Sequence, residues 1–138
     1  MKIALDTNVL LSVFIAHGLC HELFNFLIEN GHELIISDNV LMELERHLKN
    51  KFAAPSGAIQ DLMITLSENG SIVSDRADVT FDCPDPDDTP ILAAAFHAQA
   101  KYFVTGDKAL LNLKAIGLMP IISPRECWIT LRTDADVF

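Results

Sequence analysis

The sequence has few cysteines, and their spacing excludes two kinds of small-domain framework. The three cysteines, Cys20, Cys83 and Cys127, are odd in number and scattered, and no two form a Cys-x-x-Cys pair. A disulfide scaffold or a structural zinc site needs paired, regularly spaced cysteines. The cysteine pattern therefore argues against both and predicts a protein of the reducing cytoplasm.

Basic residues are also scarce. The chain has 10 lysines and arginines against 19 aspartates and glutamates, which gives a net charge of −9. A protein that binds nucleic acid through charge alone is normally basic. The acidity therefore argues against a passive nucleic-acid binder. It favours another partner, or a site whose carboxylates are partly neutralised by metal.

Long apolar runs are missing as well. No stretch of the 138 residues approaches the length of a membrane span, and Asp6 comes too early for a secretory signal peptide. Half of the residues are hydrophobic, which is enough to bury a core at this length. We expect one domain over residues 1–132 and a frayed C-terminal tail over residues 133–138.

Short apolar segments alternate with helical patterns along the whole chain. The predicted strands are Ile3–Leu5, Glu33–Ser37, Ser71–Val73, Lys101–Thr105 and Met119–Ile122. They are continuous apolar runs, which is typical of a parallel sheet covered on both faces. The pattern predicts an α/β fold: a three-layer α/β/α sandwich around a central, mostly parallel sheet of about five strands. A polar linker is expected over Arg76–Thr80.

Acidic residues follow the ends of several predicted strands. Asp6 follows the first strand, Asp38 the second and Asp107 the fourth, and the acidic stretch Cys83–Pro90 opens the helix that leads into the fourth strand. Asp38 is expected to cap a helix. Because ligands of open parallel sheets bind outside the carboxyl ends of the strands, we expect the other acids to converge there.

Clustered carboxylates without a nearby cysteine or paired histidine make a hard, oxygen-rich site. Such a site selects Mg²⁺ or Mn²⁺ over zinc or copper. A bound Mg²⁺ that keeps water molecules can activate one of them and stabilise charge on a phosphate oxygen. The pattern therefore favours hydrolysis of phosphate esters. His17 and His21 flank Cys20 at helical spacing, but no third ligand is near, so packing roles are expected for them.

Five segments, taken in order, resemble the PIN domain family, and most of all its bacterial toxin branch of VapC-type ribonucleases. They are Ala4–Asn8, Ser37–Glu45, Cys83–Asp88, Thr105–Leu111 and Ile122–Glu126. The resemblance implies a metal-dependent ribonuclease that holds two Mg²⁺ or Mn²⁺ ions through three or four acids. It also implies in-line attack by water, leaving a 5′-phosphate and a 3′-hydroxyl.

The resemblance implies four catalytic acids that also bind the metal: Asp6, Glu43, Asp88 and Asp107. It further implies that Asp85 supports the metal site, and that three polar residues orient carboxylates or water: Thr7, Asn8 and Thr105. Asp87 is expected to face water. Helical periodicity does not choose between Glu43 and Glu45, since both flank the apolar face of their helix; the resemblance favours Glu43.

The implied partners are an RNA substrate, a second copy of the chain and an antitoxin protein, with no membrane. The helices around residues 41–66 could supply the dimer surface.

One alternative function is a PIN-fold interaction module without catalysis. Another is a phosphatase of the haloacid dehalogenase type, but that chemistry needs an acid two positions after the first, where this chain has Asn8. A receiver domain is a further alternative, but it needs paired early acids, which this chain lacks.

Overall fold

The computed structural model of the chain describes residues 1–75 and 83–136, the last three by their backbone alone. In this part the strands are β1 (Lys2–Leu5), β2 (Glu33–Ser37), β3 (Gly70–Val73), β4 (Tyr102–Val104), β5 (Ala115–Ile116) and β6 (Met119–Ile122). The helices are α1 (Thr7–Ile15), α2 (Leu19–Glu29), α3 (Asp38–Asn50), α4 (Ser56–Glu68), α5 (Thr89–His97), α6 (Lys108–Leu111) and α7 (Pro124–Asp136). A 3₁₀ turn over Pro86–Asp88 precedes α5.

The strands form one sheet in the order β3-β2-β1-β4-β6-β5. Every neighbouring pair is parallel except β5 and β6, which are antiparallel. The predicted α/β sandwich with a mostly parallel sheet is therefore confirmed. The expectation of about five strands missed β5, because a strand of two residues is too short to carry a hydrophobic pattern.

The central strands are buried on both faces because helices flank the sheet. Ile3 and Ala4 in β1, and Leu34 and Ile35 in β2, point to opposite faces and are at most 3% exposed. Helix α5 packs on β2, and α1 packs against α2 and α3. Side chains along a strand point alternately to opposite faces of the sheet, and both sets can be buried only when layers of helices cover both faces. This explains why the strands read as continuous apolar runs.

Two helix boundaries differ from the sequence prediction. Helix α3 is capped by Ser37, whose Oγ accepts from the Val40 backbone N–H at 3.2 Å, and not by Asp38, which is the first helical residue. Helix α7 continues to Asp136, whereas a frayed tail was expected from Thr133. The predicted linker over Arg76–Thr80 and the last two residues of the expected tail lie outside the described residues.

Gly70 marks a close approach of the edge strand β3 to its neighbour β2. A Cβ atom at this position would collide with the backbone carbonyl of Leu34. Glycine is therefore the residue that lets β3 pair with β2 in the observed register.

Within the described part of the chain, no single helix has the length and apolarity to cross a membrane; α1 and α2 meet those criteria only together, across a bend of 101°.

Candidate active site

The carboxyl ends of β1 and β4 lie side by side and bring Asp6 and Thr105 together. Leu5 is paired with Val104 in the parallel ladder, so the residue after each strand meets its counterpart. The Thr105 hydroxyl donates to Asp6 Oδ2 at 2.8 Å, and the Asp6 backbone N–H donates to the Val104 carbonyl at 3.0 Å. Asp6 is 8% exposed and Thr105 is fully buried. A carboxylate is thus fixed in position at the centre of the sheet edge.

Asn8 links the start of α1 to the loop that follows β4. Its Nδ2 donates to Asp6 Oδ2 at 3.2 Å, and its Oδ1 accepts from the Gly106 backbone N–H at 2.9 Å. A Cβ on Gly106 would lie 3.3 Å from Asn8 Oδ1, so a small residue keeps this approach open. The role of Gly106 was missed from the sequence, where the only signal was its place in the Thr105-Gly106-Asp107 turn.

Asp107 is positioned by the same network. The single hydroxyl hydrogen of Thr105 goes to Asp6, so its oxygen accepts from the Asp107 backbone N–H, at 3.0 Å. Asp107 Oδ1 accepts from the backbone N–H groups of Ala109 at 2.8 Å and Leu110 at 3.4 Å, which caps α6. Among the described residues, its Oδ2 accepts no hydrogen bond. The exposed carboxylate therefore keeps one oxygen available for a ligand.

Glu43 joins the cluster from α3, and Glu45 does not. The Thr7 hydroxyl donates to Glu43 Oε2 at 2.9 Å, which holds this carboxylate beside the start of α1. Glu45 instead pairs with Lys49, at 2.8 Å, one turn further along the same helix. The structure thus distinguishes two acids that helical periodicity leaves equivalent.

Asp88 enters the cluster from the 3₁₀ turn before α5. The turn is stabilised locally, since Asp85 Oδ1 accepts from the Asp87 backbone N–H at 2.9 Å and the Asp85 carbonyl accepts from the Asp88 N–H at 3.0 Å. Asp88 is half-buried, whereas Asp85 and Asp87 are exposed. Asp88 is therefore the least exposed of the three acids in this turn, and Asp87 is exposed, as expected.

Burial, followed by repulsion from neighbouring carboxylates, raises the pKa of two acids in the cluster. Burial raises the pKa of Asp6, and repulsion by Glu43 and Asp107 raises it further, although hydrogen bonds from Thr105 and the Thr7 backbone oppose this. Burial is also the main cause that raises the pKa of Asp88 to about 6, followed by the charges of four other acids, namely Asp6, Asp85, Asp107 and Glu43. These mutual effects identify the acids as one electrostatic unit.

No basic side chain neutralises this unit in the part of the chain that the structure describes. The ion pair found there is Lys49 with Glu45, and neither belongs to the cluster. A bound cation would offset the repulsion among acids that have no cationic partner. All of the donor atoms are oxygens, which suits a hard ion such as Mg²⁺ or Mn²⁺.

The separations in the cluster also bear on metal binding. Among residues 1–75 and 83–136, no three acidic, histidine or cysteine side chains are close enough to ligate one ion in the positions they hold. Like charges move apart when nothing compensates them, so the donor set fits the ion in kind but has to contract around it. His21 is not part of any such set, since its Nδ1 lies 3.3 Å from the Val13 carbonyl.

Two depressions flank the acidic edge. The larger, of about 660 Å³, lies between α3 and the 3₁₀ turn, and we call it the α3 groove. The smaller, of about 390 Å³, lies on the side of Asn8 and Asp107 and reaches Cys20. A substrate that crosses the acidic edge therefore meets a concave surface on both sides.

The fold is a mostly parallel α/β sandwich with acids from four separate segments at the carboxyl edge of its sheet. The family model described as PIN domain matches residues 2–109, so the chain belongs to the PIN domain family. The resemblance inferred from the sequence is therefore confirmed. No curated protein sequence matches the chain.

Solved structures agree with this fold. VapBC2 from Rickettsia felis, solved bound to a DNA fragment from its promoter, is similar with a TM-score of 0.62 at 17% identity, covering 89% of this chain and 98% of the other. The PIN domain endonuclease Utp24 gives 0.52 at 21% identity, covering 88% and 84%. PAE2754 from Pyrobaculum aerophilum gives 0.58 at 15% identity, covering 96% and 90%.

Proposed function

We propose that the protein is a metal-dependent endoribonuclease. The observation that carries the proposal is the buried Asp6 carboxylate, held by Thr105 and Asn8 at an edge where further acids raise its pKa and no basic side chain of the described residues compensates it. Membership of the PIN domain family supports the same activity, as does the similarity to an endonuclease.

The chain's own residues would hold and orient the reacting groups. Asp6, Glu43, Asp88 and Asp107 would bind Mg²⁺ or Mn²⁺, with Asp85 as a further support. Such ions lower the pKa of bound water and polarise a phosphoryl oxygen. Thr7 holds Glu43, and Asn8 and Thr105 hold Asp6, through the hydrogen bonds described above, so these two carboxylates would be oriented before metal and substrate arrive.

The decisive assay is cleavage of labelled single-stranded RNA by the purified protein. We expect cleavage with Mn²⁺ or Mg²⁺, none with EDTA, and a loss of about a hundredfold or more for Asp6→Asn. Asp61→Asn, which removes an exposed charge on α4, is the matched control and should keep full activity. Cleavage that survives both EDTA and Asp6→Asn would contradict the metal–carboxylate mechanism.

Metal binding can be tested separately from cleavage. Titration calorimetry with Mn²⁺ should give about tenfold to hundredfold weaker binding for Glu43→Gln than for the wild type. Glu45→Gln, on the same helix, should bind Mn²⁺ as the wild type does, because Glu45 pairs with Lys49. Tight Mn²⁺ binding without cleavage of any RNA would favour the alternative of an interaction module on the PIN fold.

We further propose that the protein is the toxin of a toxin–antitoxin pair and acts as a homodimer in the cytoplasm. The similarity to VapBC2 and the net charge of −9, which suits a basic partner, support the antitoxin. Met42, Phe52 and Ile64 are 67%, 45% and 52% exposed, which supports a dimer surface on α3, α4 and the turn between them. The toxin role predicts that expression of the wild type arrests cell growth and that Asp6→Asn abolishes this arrest. A monomer mass measured by light scattering would contradict the dimer.

A further inference from the structure

The side chain of His21 closes the corner between α1 and α2, which meet at a bend of 101°. The last carbonyl groups of an α-helix have no partner inside it. His21 Nδ1 lies 3.3 Å from one such carbonyl of α1, that of Val13. A carbonyl oxygen can only accept, so Nδ1 carries the proton in this hydrogen bond. The neutral ring then keeps its lone pair on Nε2.

This hydrogen bond gives His21 the arrangement of a metal ligand. Metal-binding histidines generally donate their other ring N–H to a carboxylate, a backbone carbonyl or water, which fixes both the tautomer and the orientation of the ring. For His21 the Val13 carbonyl has this role. The ring is also half-buried, so the fold restricts its orientation before any ion binds.

His17 lies in the turn between the two helices, and its ring contacts that of His21. The ring centres are 4.7 Å apart and the ring planes are inclined at 75°. Two imidazoles that bind one ion, each through a nitrogen at ~2.1 Å and with an angle of about 90–110° at the ion, have ring centres roughly 4.5–5.2 Å apart. Within the described part of the chain, the exposed His17 makes no hydrogen bond. Its ring can therefore turn a nitrogen toward an ion without breaking one.

The two imidazoles are the donors at this corner, and the thiol of Cys20 is not. Burial raises the pKa of the half-buried Cys20 thiol, although a hydrogen bond with Ser12 opposes this. The thiolate is the form that binds metal, so a thiol that stays protonated is a poor ligand. Among the described residues, no third histidine, cysteine, aspartate or glutamate completes the set. Water molecules would therefore fill the remaining positions around an ion.

We propose that His17 and His21 form a second metal site, which takes a divalent transition ion of the Ni²⁺, Cu²⁺ or Zn²⁺ class. Neutral imidazole suits these ions, whereas Mg²⁺ and Mn²⁺ prefer carboxylate oxygens. The bound ion ties the turn to the first turn of α2, where His21 is hydrogen-bonded to the end of α1. The site shares no residue with the acidic edge, so it does not depend on the proposed nuclease function.

Titration calorimetry with Ni²⁺ tests the site, with an excess of Mg²⁺ present to compete for the acidic edge. The wild type should bind one Ni²⁺ per chain at this corner. His17→Gln should weaken that binding by at least about tenfold, because even the loss of a group that only orients a ligand costs that much. His17→Gln leaves the hydrogen bond of His21 intact, so it should fold as the wild type does. His97→Gln, at an exposed histidine of α5, is the matched control and should bind Ni²⁺ normally.

Nuclear magnetic resonance identifies the ligands directly. Nitrogen-15 spectra of the imidazole rings should show His21 as the tautomer with the proton on Nδ1. Paramagnetic Ni²⁺ should broaden the resonances of His17 and His21 before those of His32, His47 and His97. In thermal melting, Ni²⁺ at about ten times its Kd should raise the melting temperature of the wild type by about 4 °C, and should not raise that of His17→Gln.

Equal Ni²⁺ affinity in His17→Gln and His97→Gln would overturn the second metal site. So would earlier broadening of any other histidine, or a proton on Nε2 of His21 in the metal-free protein. RNA cleavage by His17→Gln should equal that of the wild type, so neither proposal is decided by the failure of the other.

Discussion

Replacing Asp88 tests whether the carboxylates form one electrostatic unit. The pKa of Asp88 is raised from 3.8 to about 6, first by burial and then by four neighbouring acids. Between those two values the folded protein keeps a proton that the unfolded chain has lost. Since the folded state then binds more protons, the free energy of unfolding of the metal-free protein falls as the pH rises from about 4 to about 6, and this effect is constant above.

The size of the effect follows from the shift. At ~1.4 kcal/mol for each pKa unit, the raised pKa corresponds to about 3 kcal/mol. Asp88 is half-buried, so solvent screening should reduce the observed difference to about 1–2 kcal/mol. Asp88→Asn removes the titrating group. The free energy of unfolding of this variant, relative to the wild type, should therefore increase by about 1–2 kcal/mol from about pH 4 to pH 7.

Urea denaturation with EDTA present, at several pH values, measures this difference. Asp87→Asn is the matched control, because Asp87 is exposed in the same turn, and its pH profile should parallel that of the wild type. Mn²⁺ at neutral pH should stabilise the wild type in proportion to RT ln(1 + [Mn²⁺]/Kd), and Asp88→Asn less. Parallel profiles for Asp88→Asn and the wild type would refute the raised pKa of Asp88.

Other positions allow shorter tests. Thr105→Val removes the hydroxyl that hydrogen-bonds with Asp6, Asn8 and the Asp107 backbone, and should lower the free energy of unfolding by about 1–3 kcal/mol. Thr105→Ser keeps the hydroxyl and should lose less; urea curves of equal midpoint would contradict this. Gly70→Ala should lower the free energy of unfolding by more than about 2 kcal/mol, because its Cβ collides with β2. Gly57→Ala in α4 meets no atom within 4 Å and should raise the free energy of unfolding by up to about 1 kcal/mol. Thermal melting measures both effects. Asp6→Asn should melt no lower than the wild type in EDTA, since it removes a buried, repelled charge; a lower melting temperature would show that the carboxylate stabilises the fold.

The fold was predictable because its signals are local. An apolar run followed by a polar cap marks the end of a strand and the start of a helix, and this pattern places both Asp6 and Asp107. The carboxyl ends of parallel strands share one edge, so the proximity of these two segments follows from the sheet rule without any contact information. What the acids bind remains a prediction.

The rest depended on how elements rotate and pack. Periodicity gives the angle between Glu43 and Glu45 around α3, but not the rotation of α3 relative to β1, which is set by burial of Leu44 and Leu48 in the core. The contact between the Asn8 amide and the Gly106 backbone likewise joins loops that are far apart in sequence. No local pattern encodes such a contact.

The position of β1 in the middle of the sheet has a consequence for how the chain acquires its site during synthesis. Asp6 is synthesised before its partner Thr105, which is 99 positions later, and β4 must insert beside β1 before they can meet. A nascent chain that stops before β4 has neither Thr105 nor Asp107 and cannot assemble the acidic edge. The order of the strands therefore delays the site until β4 and the turn after it have been made.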